Sequence, residues 1–464
     1  MINIKKKVIE TLCSQETLMK YEIDLFIRKK IIENVKNYYS IITAVYNTEK
    51  YLDNYFKSIT TQSLDFEKYI HIILIDDGST DDSANIIKKW KEKFNLNISY
   101  IRCENGGQAT ARNLAIKYIK TPWITFIDAD DTINNIYFEE VNSFLNDNSE
   151  IDMISCNQIF YIQETQKEKK HYLSYRFKDE VTVVNPTNMQ RFIQSTASSV
   201  FFKTKLLSKH NLYFKPEIKP VFEDGFFVNS LLIKEPTINI AFLQKPIYYY
   251  TKREDNSSTV DTAWQKQTRY DDALKFALLE LLKTDNNLYI QRFALYQTYW
   301  YFKKIINNPK TVEFLTKEQI ENFKKLLQQI FLYIEIDTIE SCALGGMWHK
   351  YRIGFYHIYK KNELIKQVCY LDSYDYELEE LKLHYYFHSN DKEIFLVNNK
   401  KLKTNKYEII EHKFINEMFV YEKIIYLPIK GKWEYLDIKL CDVPTQISLN
   451  KKRYKNGIQL SKFI

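Results

Sequence analysis

The sequence is poor in cysteine, glycine and proline, and it contains no long apolar run. Six cysteines are scattered over 464 residues without a CxxC pair, which argues against a zinc site and favours reduced thiols, as in cytosolic proteins. Nowhere do about 18 apolar residues follow one another, so no membrane span is predicted. Residues 1–7 carry charges without an apolar segment after them, so no signal peptide is expected.

Two common nucleotide-binding signatures are also missing. Neither the GxGxxG fingerprint of dinucleotide-binding proteins nor the GxxxxGK[ST] phosphate loop occurs, which counts against dehydrogenases and ATPases. The formal net charge of +7 is too small to indicate nucleic-acid binding by itself, so no nucleic-acid partner is expected.

Basic residues do cluster at the end of the chain. Residues 449–464 contain no acidic residue, and their basic residues are Lys451, Lys452, Arg453, Lys455 and Lys462. This segment predicts either contact with an anionic membrane surface or a solvated terminus. We therefore expect a cytoplasmic protein that can lie peripherally on the inner face of the cell membrane.

The length and composition predict several globular domains. Hydrophobic residues make up 45% and charged residues 27% of the chain, as in folded proteins, and 464 residues exceed one hydrophobic core. We predict an N-terminal helical extension over residues 1–37 and an α/β domain over residues 38–260. A helical region over residues 261–345 and a small antiparallel β-sandwich over residues 366–464 are predicted to follow.

Within residues 38–260, apolar strand-like runs alternate with amphipathic helical segments. This alternation predicts a mostly parallel sheet that helices cover on both faces. The predicted strands are 40–46, 70–76, 98–102, 123–128, 237–242 and 247–250. The predicted helices are 49–62, 82–94, 108–120, 186–194 and 223–234.

A buried strand that leads into a cluster of acids organises this domain. The apolar run 123–127 is followed by Asp128, Asp130 and Asp131, and ligands of open α/β sheets bind beyond the carboxyl ends of strands. In an extended segment Asp128 and Asp130 point to the same side. Paired carboxylates suit Mg²⁺ or Mn²⁺, which take their remaining ligands from water and phosphates. An acidic loop that caps the helix beginning at Tyr137 is the alternative.

Two further stretches place polar groups at neighbouring strand ends. A carboxylate at the position of Asp76 or Asp77 can accept a hydrogen bond from the imide N–H of uracil, which cytosine lacks. Gly106 and Gly107 allow close approach of the backbone, and Arg112, one turn into the next helix, can face the same edge. A turn that caps the following helix is the alternative for the first stretch.

Together these motifs resemble the inverting family-2 glycosyltransferases of the GT-A fold. The matching stretches, in chain order, are residues 40–52, Ser58-Ile59 with Gln62, residues 76–79, residues 105–107 with 111–113, and residues 128–131. Ordered motifs at consistent spacing are a far more specific signal than a lone DxD.

The resemblance implies a donor site built from these motifs. The residues that it implies around the uracil are Ala44, Tyr46, Asp77 and Arg112, with Glu49 close by. It implies that Asp128 contacts the ribose beside Ala129, and that Asp130, with Asp128, holds Mn²⁺ or Mg²⁺ on the diphosphate. Ala44 departs from the family pattern, which usually has proline at that position.

The resemblance also implies that a later acidic pair, Glu223-Asp224, supplies the catalytic base. The attacking hydroxyl must lose its proton on the face opposite the leaving nucleotide. The carboxylate of Asp224 is therefore expected to lie across the donor from the metal. An acid pair that the helix dipole favours at a helix start is the alternative.

A cation for the departing diphosphate is expected shortly before Ser258. Arg253 is the candidate, in a loop that resembles the Arg-x-x-x-Ser segment of the family, with Ser257 or Ser258 nearby. A surface salt bridge is the alternative for Arg253. Many relatives place a metal-binding histidine near this loop, but no histidine occurs between positions 210 and 349. Asp255 or water is left as the third ligand.

The function that the resemblance implies is transfer of a sugar, with inversion, from a UDP-sugar to a hydroxyl of a surface glycan. The expected acceptors are capsule, teichoic acid or lipopolysaccharide, as free glycan or linked to a lipid. A sugar nucleotidyltransferase is an alternative, but residues 46–50 lack the Gly-rich loop with Arg and Lys that it needs. A non-catalytic glycan-binding scaffold is the other alternative.

The predicted β-sandwich has two expected roles, glycan binding and formation of a homo-oligomer. Tyr385, Tyr386 and Trp433 are candidates for stacking on sugars. Packing in the core is the favoured interpretation of these aromatic side chains.

Overall fold

The computed structural model describes residues 38–116, 119, 121–189, 192–254, 258–342, 347, 349–360, 366–388, 392–430 and 434–462. The predicted N-terminal extension, residues 1–37, lies outside the described residues. The chain divides into two compact units, Met1–Phe293 and Ala294–Ile464. The domain limits drawn from the sequence stay predictions.

The first unit is built on one large mixed sheet. Its strands are β1 (Tyr39–Val45), β2 (Ile70–Asp76), β3 (Ile98–Arg102), β4 (Trp123–Phe126), β5 (Thr132–Ile133), β6 (Ile151–Ile162), β7 (Lys167–Lys170), β8 (Val181–Val184), β9 (Val200–Lys203) and β10 (Asn239–Lys252). The order across the sheet is β3-β2-β1-β4-β9-β6-β10-β5, with β7 on β6 and β8 on β10.

The pairing of these strands fixes where the loops of the first half meet. β1 pairs in parallel with β2 and with β4, and β2 pairs in parallel with β3. The carboxyl ends of β1 to β4 therefore share one edge of the sheet, which is where ligands bind in open α/β folds. β9 is antiparallel to β4 and to β6, whereas β10 is parallel to β6.

Helices cover this sheet, and the amphipathic pattern of the sequence places them. They are α1 (Glu49–Thr60), α2 (Phe66–Tyr69), α3 (Ser83–Lys93), α4 (Gln108–Ile116), α5 (Tyr137–Asp147), α6 (Thr204–His210), α7 (Glu223–Lys234), α8 (Thr259–Thr262) and α9 (Glu280–Thr284). Helix α1 shows the principle, because it buries Leu52, Tyr55, Phe56 and Ile59, which recur at helical spacing. A π-helical stretch, Leu274–Leu279, precedes α9.

Four predicted elements of this unit differ from the structure. A helix over residues 186–194 was expected, but only a 3₁₀ turn, Pro186–Asn188, forms in the described part of that range. The strands predicted at 237–242 and 247–250 are one strand, β10, with a register shift between Leu243 and Ile247. Residues 123–128 were expected to be one strand, but β4 ends at Phe126. Bulges and turns of this kind leave no periodic signal.

The second unit consists of helices followed by antiparallel strands. Its helices are the C-terminal part of α10 (Leu288–Ile305), α11 (Lys317–Tyr333), α12 (Ile336–Ser341) and α13 (His349–Phe355), which is followed by the π-helical stretch Tyr356–Lys360. Its strands are β11 (Gln367–Asp375), β12 (Glu380–Phe387), β13 (Glu393–Val397), β14 (Lys400–Leu402), β15 (Tyr407–Phe414), β16 (Glu417–Pro428), β17 (Tyr435–Leu440), β18 (Thr445–Leu449), β19 (Lys452–Tyr454) and β20 (Ile458–Gln459).

These strands form two sheets that enclose an apolar core. The larger sheet has the order β15-β16-β12-β11-β18-β19, and the smaller has the order β14-β13-β17-β20. Tyr385 is fully buried in the core between them, and Tyr386 is 5% exposed, so both are packing residues, whereas Trp433 lies outside the described residues. The predicted fold class, an α/β sheet domain followed by helices and an antiparallel β domain, is confirmed. Among the described residues no helix is long and apolar enough to cross a bilayer.

Candidate functional site

The acids that follow β4 lie in a turn. The backbone N–H of Asp131 donates to the carbonyl oxygen of Asp128 (3.1 Å), so the expectation that Asp128 and Asp130 lie in an extended segment and point to the same side is wrong. Asp128 faces Arg112, and Asp130 faces Arg253. The two carboxylates therefore serve different neighbours.

Asp131 anchors this turn through buried hydrogen bonds. Its side chain is almost fully buried and accepts hydrogen bonds from Tyr248 Oη (2.6 Å) and from the backbone N–H of Thr251 (2.8 Å). Tyr248 Oη also accepts the backbone N–H of Asp128 (3.2 Å). Both partners belong to β10, so the third acid of the cluster ties the turn to a distant strand.

Arg112 joins two of the predicted site acids. Its side chain is 1% exposed, and its guanidinium binds Asp128 Oδ1 through Nη2 (2.6 Å) and Asp224 Oδ1 through Nη1 (2.5 Å). Gln108 Nε2 donates to the same Asp128 oxygen (2.9 Å). The buried guanidinium thus bridges Asp128, which follows β4, and Asp224, which lies at the start of α7. The implied contact of Arg112 with uracil stays a prediction.

Asp224 is held from two sides at the first turn of α7. Its Oδ1 binds Arg112, and its Oδ2 accepts the backbone N–H of Ala197 (3.0 Å). The residue before the acidic pair, Phe222, has φ of 80°, a backbone conformation that bulky residues rarely adopt. Such backbone strain clusters at functional sites.

Burial raises the pKa of two acids at the site, Glu223 and Asp128. Desolvation, the charge of Asp224 and, to a smaller extent, that of Asp128 raise the pKa of Glu223 to about 8, and Arg112 opposes this shift. Burial also raises the pKa of Asp128, with Arg112 again opposing. The site therefore carries a carboxyl group, Glu223, that is largely protonated at neutral pH.

We call the ends of β2 and β3, together with the loop after β1, the donor edge. At this edge the carboxylates of Asp76 and Asp77 accept hydrogen bonds, mostly from backbone N–H groups. Asp77 Oδ1 accepts the N–H of Gly106 (2.7 Å) and Oδ2 that of Gly107 (2.8 Å). Asp76 Oδ1 accepts the N–H of Ser79 (2.8 Å) and Oδ2 the hydroxyl of Tyr100 (2.7 Å). Both acids are buried, so an imide N–H would have to use a remaining lone pair of Asp77.

The other predicted donor residues lie around the same edge. Ala44 is half-buried at the end of β1, and Tyr46 is 51% exposed beyond it. The backbone N–H of Glu49 donates to Asp81 (3.0 Å), while its carboxylate accepts the N–H of Asp82 (2.8 Å). Glu49 therefore joins the start of α1 to the loop after β2. Its proximity to uracil stays a prediction.

Arg253 and Asp130 form a second ion pair at the site. Arg253 Nε and Nη2 both contact Asp130 Oδ2 (2.8 and 2.7 Å), and the guanidinium lies over the ring of Tyr51. Ser257 and Asp255, predicted as donor residue and alternative metal ligand, lie outside the described residues.

The donor set around Asp130 suits a cation that takes few protein ligands. Among the described residues no group of three or more His, Cys, Asp or Glu side chains is arranged to hold a metal ion. Mg²⁺ is commonly held by one or two carboxylates and completed by water and phosphate oxygens. A single carboxylate such as that of Asp130 fits a cation of this kind, which would share it with the guanidinium of Arg253.

The sequence motifs missed several residues that shape the site. Ala197 acts through its backbone, which leaves no signal in a sequence. Tyr248 lies in the predicted strand 247–250 and Thr251 follows it directly, and neither was predicted to have a role in the site. Gln108 stands at the start of a predicted helix, and its place directly after Gly106-Gly107 is the one signal that pointed towards the site.

Comparison with known proteins shows that the first part of this chain is similar to one family. Residues 40–211 match the model of glycosyl transferase family 2. The minor teichoic acid biosynthesis protein GgaA of Bacillus subtilis is 32% identical over 253 residues, which are 54% of this chain and 55% of that protein. GgaB of the same species is 29% identical over 80% of this chain and 39% of its own length. The chain thus spans about half the length of these two relatives or less.

A third relative and its solved structures cover more of the chain. The poly(ribitol-phosphate) beta-N-acetylglucosaminyltransferase TarS of Staphylococcus aureus is 23% identical over 91% of this chain and 72% of that protein. A crystal structure of TarS residues 1–349 in complex with UDP-GlcNAc matches with a TM-score of 0.54 and 20% identity, over 69% of this chain and 86% of that one. A crystal structure of TarS also matches with a TM-score of 0.54, at 15% identity over 90% of this chain and 84% of that one. These likenesses show the GT-A fold.

Proposed function

We propose that this chain, whose residues 40–211 match the model of glycosyl transferase family 2, is a metal-dependent inverting glycosyltransferase that moves a sugar from a UDP-sugar to a hydroxyl of a cell-surface glycan. The observation that carries the proposal is the buried guanidinium of Arg112, which contacts both Asp128 and Asp224. It supports one site in which a donor-binding acid and a base face each other.

Asp224 is the group that removes the proton from the acceptor hydroxyl. Its two oxygens bind Arg112 and the N–H of Ala197, so the carboxylate is held in one orientation, as a positioned general base requires. Glu223, with its raised pKa, stays largely neutral beside it.

Asp130 and Arg253 serve the diphosphate of the donor. A divalent cation held by Asp130, when bound, supplies positive charge for the departing nucleotide. Arg253, paired with Asp130, adds a second cation at the same place, so that charge developing on the leaving diphosphate is stabilised. Asp128 orients the ribose, since its carboxylate is itself fixed by Arg112 and Gln108.

The acceptor that the relatives favour is a teichoic acid or a similar anionic glycan, because GgaA and GgaB are teichoic acid biosynthesis proteins and TarS acts on poly(ribitol phosphate). Exposed Lys451, Lys452 and Arg453 support a peripheral contact with anionic phospholipids near the membrane where such polymers are assembled. Homo-oligomer formation through the β domain belongs to the same proposal.

A panel of UDP-, GDP- and CDP-sugars tests the donor. We expect UDP-sugars to raise the melting temperature in the presence of Mn²⁺, since ligand at 100 times its Kd stabilises the folded state by about 2.7 kcal/mol. Transfer of radiolabelled sugar to poly(ribitol phosphate) then separates an enzyme from a glycan-binding scaffold. Stabilisation by GDP-sugars alone, or donor binding without transfer to any glycan, would contradict the proposal.

The variant Asp130→Ala tests the cation site. We expect UDP binding, measured by calorimetry, to lose its dependence on Mn²⁺ in this variant, because the carboxylate that holds the cation is gone. Asp152→Ala is the control, since Asp152 pairs with Lys203, and Lys203 lies opposite Trp123 at the start of β4, the other end of that strand from Asp130. Metal-linked binding that survives in Asp130→Ala would place the cation elsewhere.

A further inference from the structure

A buried hydrogen-bond network outside the family motifs adjoins the site, and Gln194 is its centre. This fully buried side chain accepts hydrogen bonds at Oε1 from Arg176 Nη1 (2.7 Å) and Ser155 Oγ (3.0 Å). Its Nε2 donates to the carbonyl oxygen of Thr196 (2.8 Å). The backbone carbonyl of Gln194 accepts Asn229 Nδ2 (3.1 Å). A buried network with this many satisfied groups rigidifies the backbone around it.

The segment that Gln194 begins, residues 194–199, is called the base loop because it reaches Asp224. The N–H of Ala197 in this loop donates to Asp224 Oδ2 (3.0 Å), while Arg112 binds the other oxygen. The base loop lies against the first turn of α7, since a Cβ on Gly225 would stand 3.4 Å from the carbonyl oxygen of Ser195 and 2.7 Å from Phe293 Cζ. The ring of Phe293 excludes a larger residue at position 225, while the contact with Ser195 shows that the base loop packs on this turn.

We infer that Gln194 is a positioning residue, which fixes the base loop so that the N–H of Ala197 holds the Asp224 carboxylate in the orientation that removes the acceptor proton. The inference rests on the proposed function, because it requires Asp224 to be the base. The hydrogen bond from Gln194 Nε2 to Thr196 is the decisive link, since it closes the loop on itself one residue before Ala197. Gln194 acts through this backbone and touches no reacting atom.

The variant Gln194→Glu removes this link selectively. A glutamate keeps an acceptor oxygen for Arg176 and Ser155, but it presents an oxygen in place of an N–H to the carbonyl of Thr196. We expect kcat for UDP release from UDP-N-acetylglucosamine, with poly(ribitol phosphate) as acceptor, to fall about 10- to 100-fold, as for a catalytic group misplaced by about 1 Å. The Kd of UDP, measured by calorimetry, is expected to stay unchanged.

Asn97→Asp is the matched control. Asn97 is 4% exposed, and its Nδ2 donates to the carbonyl oxygens of Glu67 and Ile70 (both 2.8 Å), so it too fastens a loop through a buried amide. It precedes β3 and lies at the opposite end of the strands from Asp224. We expect this variant to lose stability and to keep the kcat of the wild type.

The milder variant Ser155→Ala keeps the inference testable if Gln194→Glu does not fold. It removes one donor to Gln194 Oε1 and leaves Arg176 in place, and we expect kcat to fall about threefold, as for one weakened hydrogen bond. Wild-type kcat in folded Gln194→Glu, or in Ser155→Ala, would overturn the inference, as would an equal loss of kcat in Asn97→Asp. A wild-type protein that releases no UDP from any donor would instead overturn the proposed function, and this inference with it.

Discussion

The two edges of the site are held together in different ways. At the donor edge, Asp76 and Asp77 accept four donors, and those that bind Asp77 come from residues 29 and 30 positions away. The start of α7, which carries Asp224, is called the base edge. There the carboxylate of Asp224 is bound by Arg112, 112 positions away, and by the N–H of Ala197, 27 positions away. Three of the four donors at the donor edge are thus backbone N–H groups, whereas the base edge depends on one buried guanidinium and one backbone N–H.

This difference predicts which part of the site tolerates substitutions. Backbone donors survive most side-chain substitutions, so the donor edge should keep its shape when a single residue is altered. A buried guanidinium between two carboxylates has no substitute, because its loss leaves both negative charges uncompensated. Substitutions at the base edge are therefore expected to lower stability and catalytic rate more than substitutions at the donor edge.

The sharpest comparison uses one arginine from each edge. Arg112→Met is expected to destabilise the protein by about 3–5 kcal/mol, the usual cost of removing one partner from a buried ion pair. Arg102→Met should cost less than about 1 kcal/mol, because Arg102 is 51% exposed and lies 3.6 Å from Asp76. Urea unfolding measures both. Equal losses would show that the two edges do not differ as described.

The pH dependence of stability tests the acidic pair. The pKa of Glu223 is about 8 in the folded protein and near 4.5 when unfolded, so the folded state binds more protons between these values. Its contribution to stability is complete below pH 4.5 and is lost as pH rises through 8, at up to about 1.4 kcal/mol per pH unit.

The variant Glu223→Gln is expected to remove this contribution. Its urea midpoint should therefore fall less than that of the wild type between pH 5 and pH 8. A wild-type protein whose stability does not fall over this range relative to Glu223→Gln would contradict the raised pKa.

The smallest expected effect concerns the donor edge itself. Gly107 has φ of 90°, whereas a Cβ there would meet nothing closer than 3.7 Å, so Gly107→Ala should cost only backbone strain of about 1–2 kcal/mol. Because the N–H of Gly107 is bound to Asp77, we also expect weaker UDP binding by calorimetry. Unchanged affinity for UDP in Gly107→Ala would count against this role.

Local signals in the sequence predicted much of the fold. Strands β2 and β3 have the predicted bounds, and helix α7 begins in the predicted acidic stretch 222–225 and ends at the predicted Lys234. An apolar run or an acidic helix start marks each of these elements. Strand β10 was divided in two because Gln244-Lys245-Pro246 interrupts its apolar pattern, and the structure absorbs this interruption as a register shift between Leu243 and Ile247. A bulge is decided by the partner strand, which the sequence of β10 alone does not contain.

The site was predicted as a set of residues, but its internal contacts were not. The ion pair of Arg112 with Asp224 joins residues from two distant helices, and neither segment carries a mark of the other. The turn at Asp128 depends on Asp131, which binds Tyr248 and Thr251 of β10. Contacts of this range follow from the assembled sheet, so periodicity and motif spacing do not specify them.

The most direct test of the whole account is the variant Asp224→Asn, measured for both transfer and binding. The asparagine keeps the size of the side chain and loses the proton acceptor, so kcat should fall about 10²–10⁴-fold, the usual contribution of a general base. The Kd of UDP in the presence of Mn²⁺ should stay within about twofold of the wild type, since uniform binding is untouched. Transfer at the wild-type rate, or a loss of UDP binding equal to the loss of transfer, would contradict the assignment of Asp224 as the base.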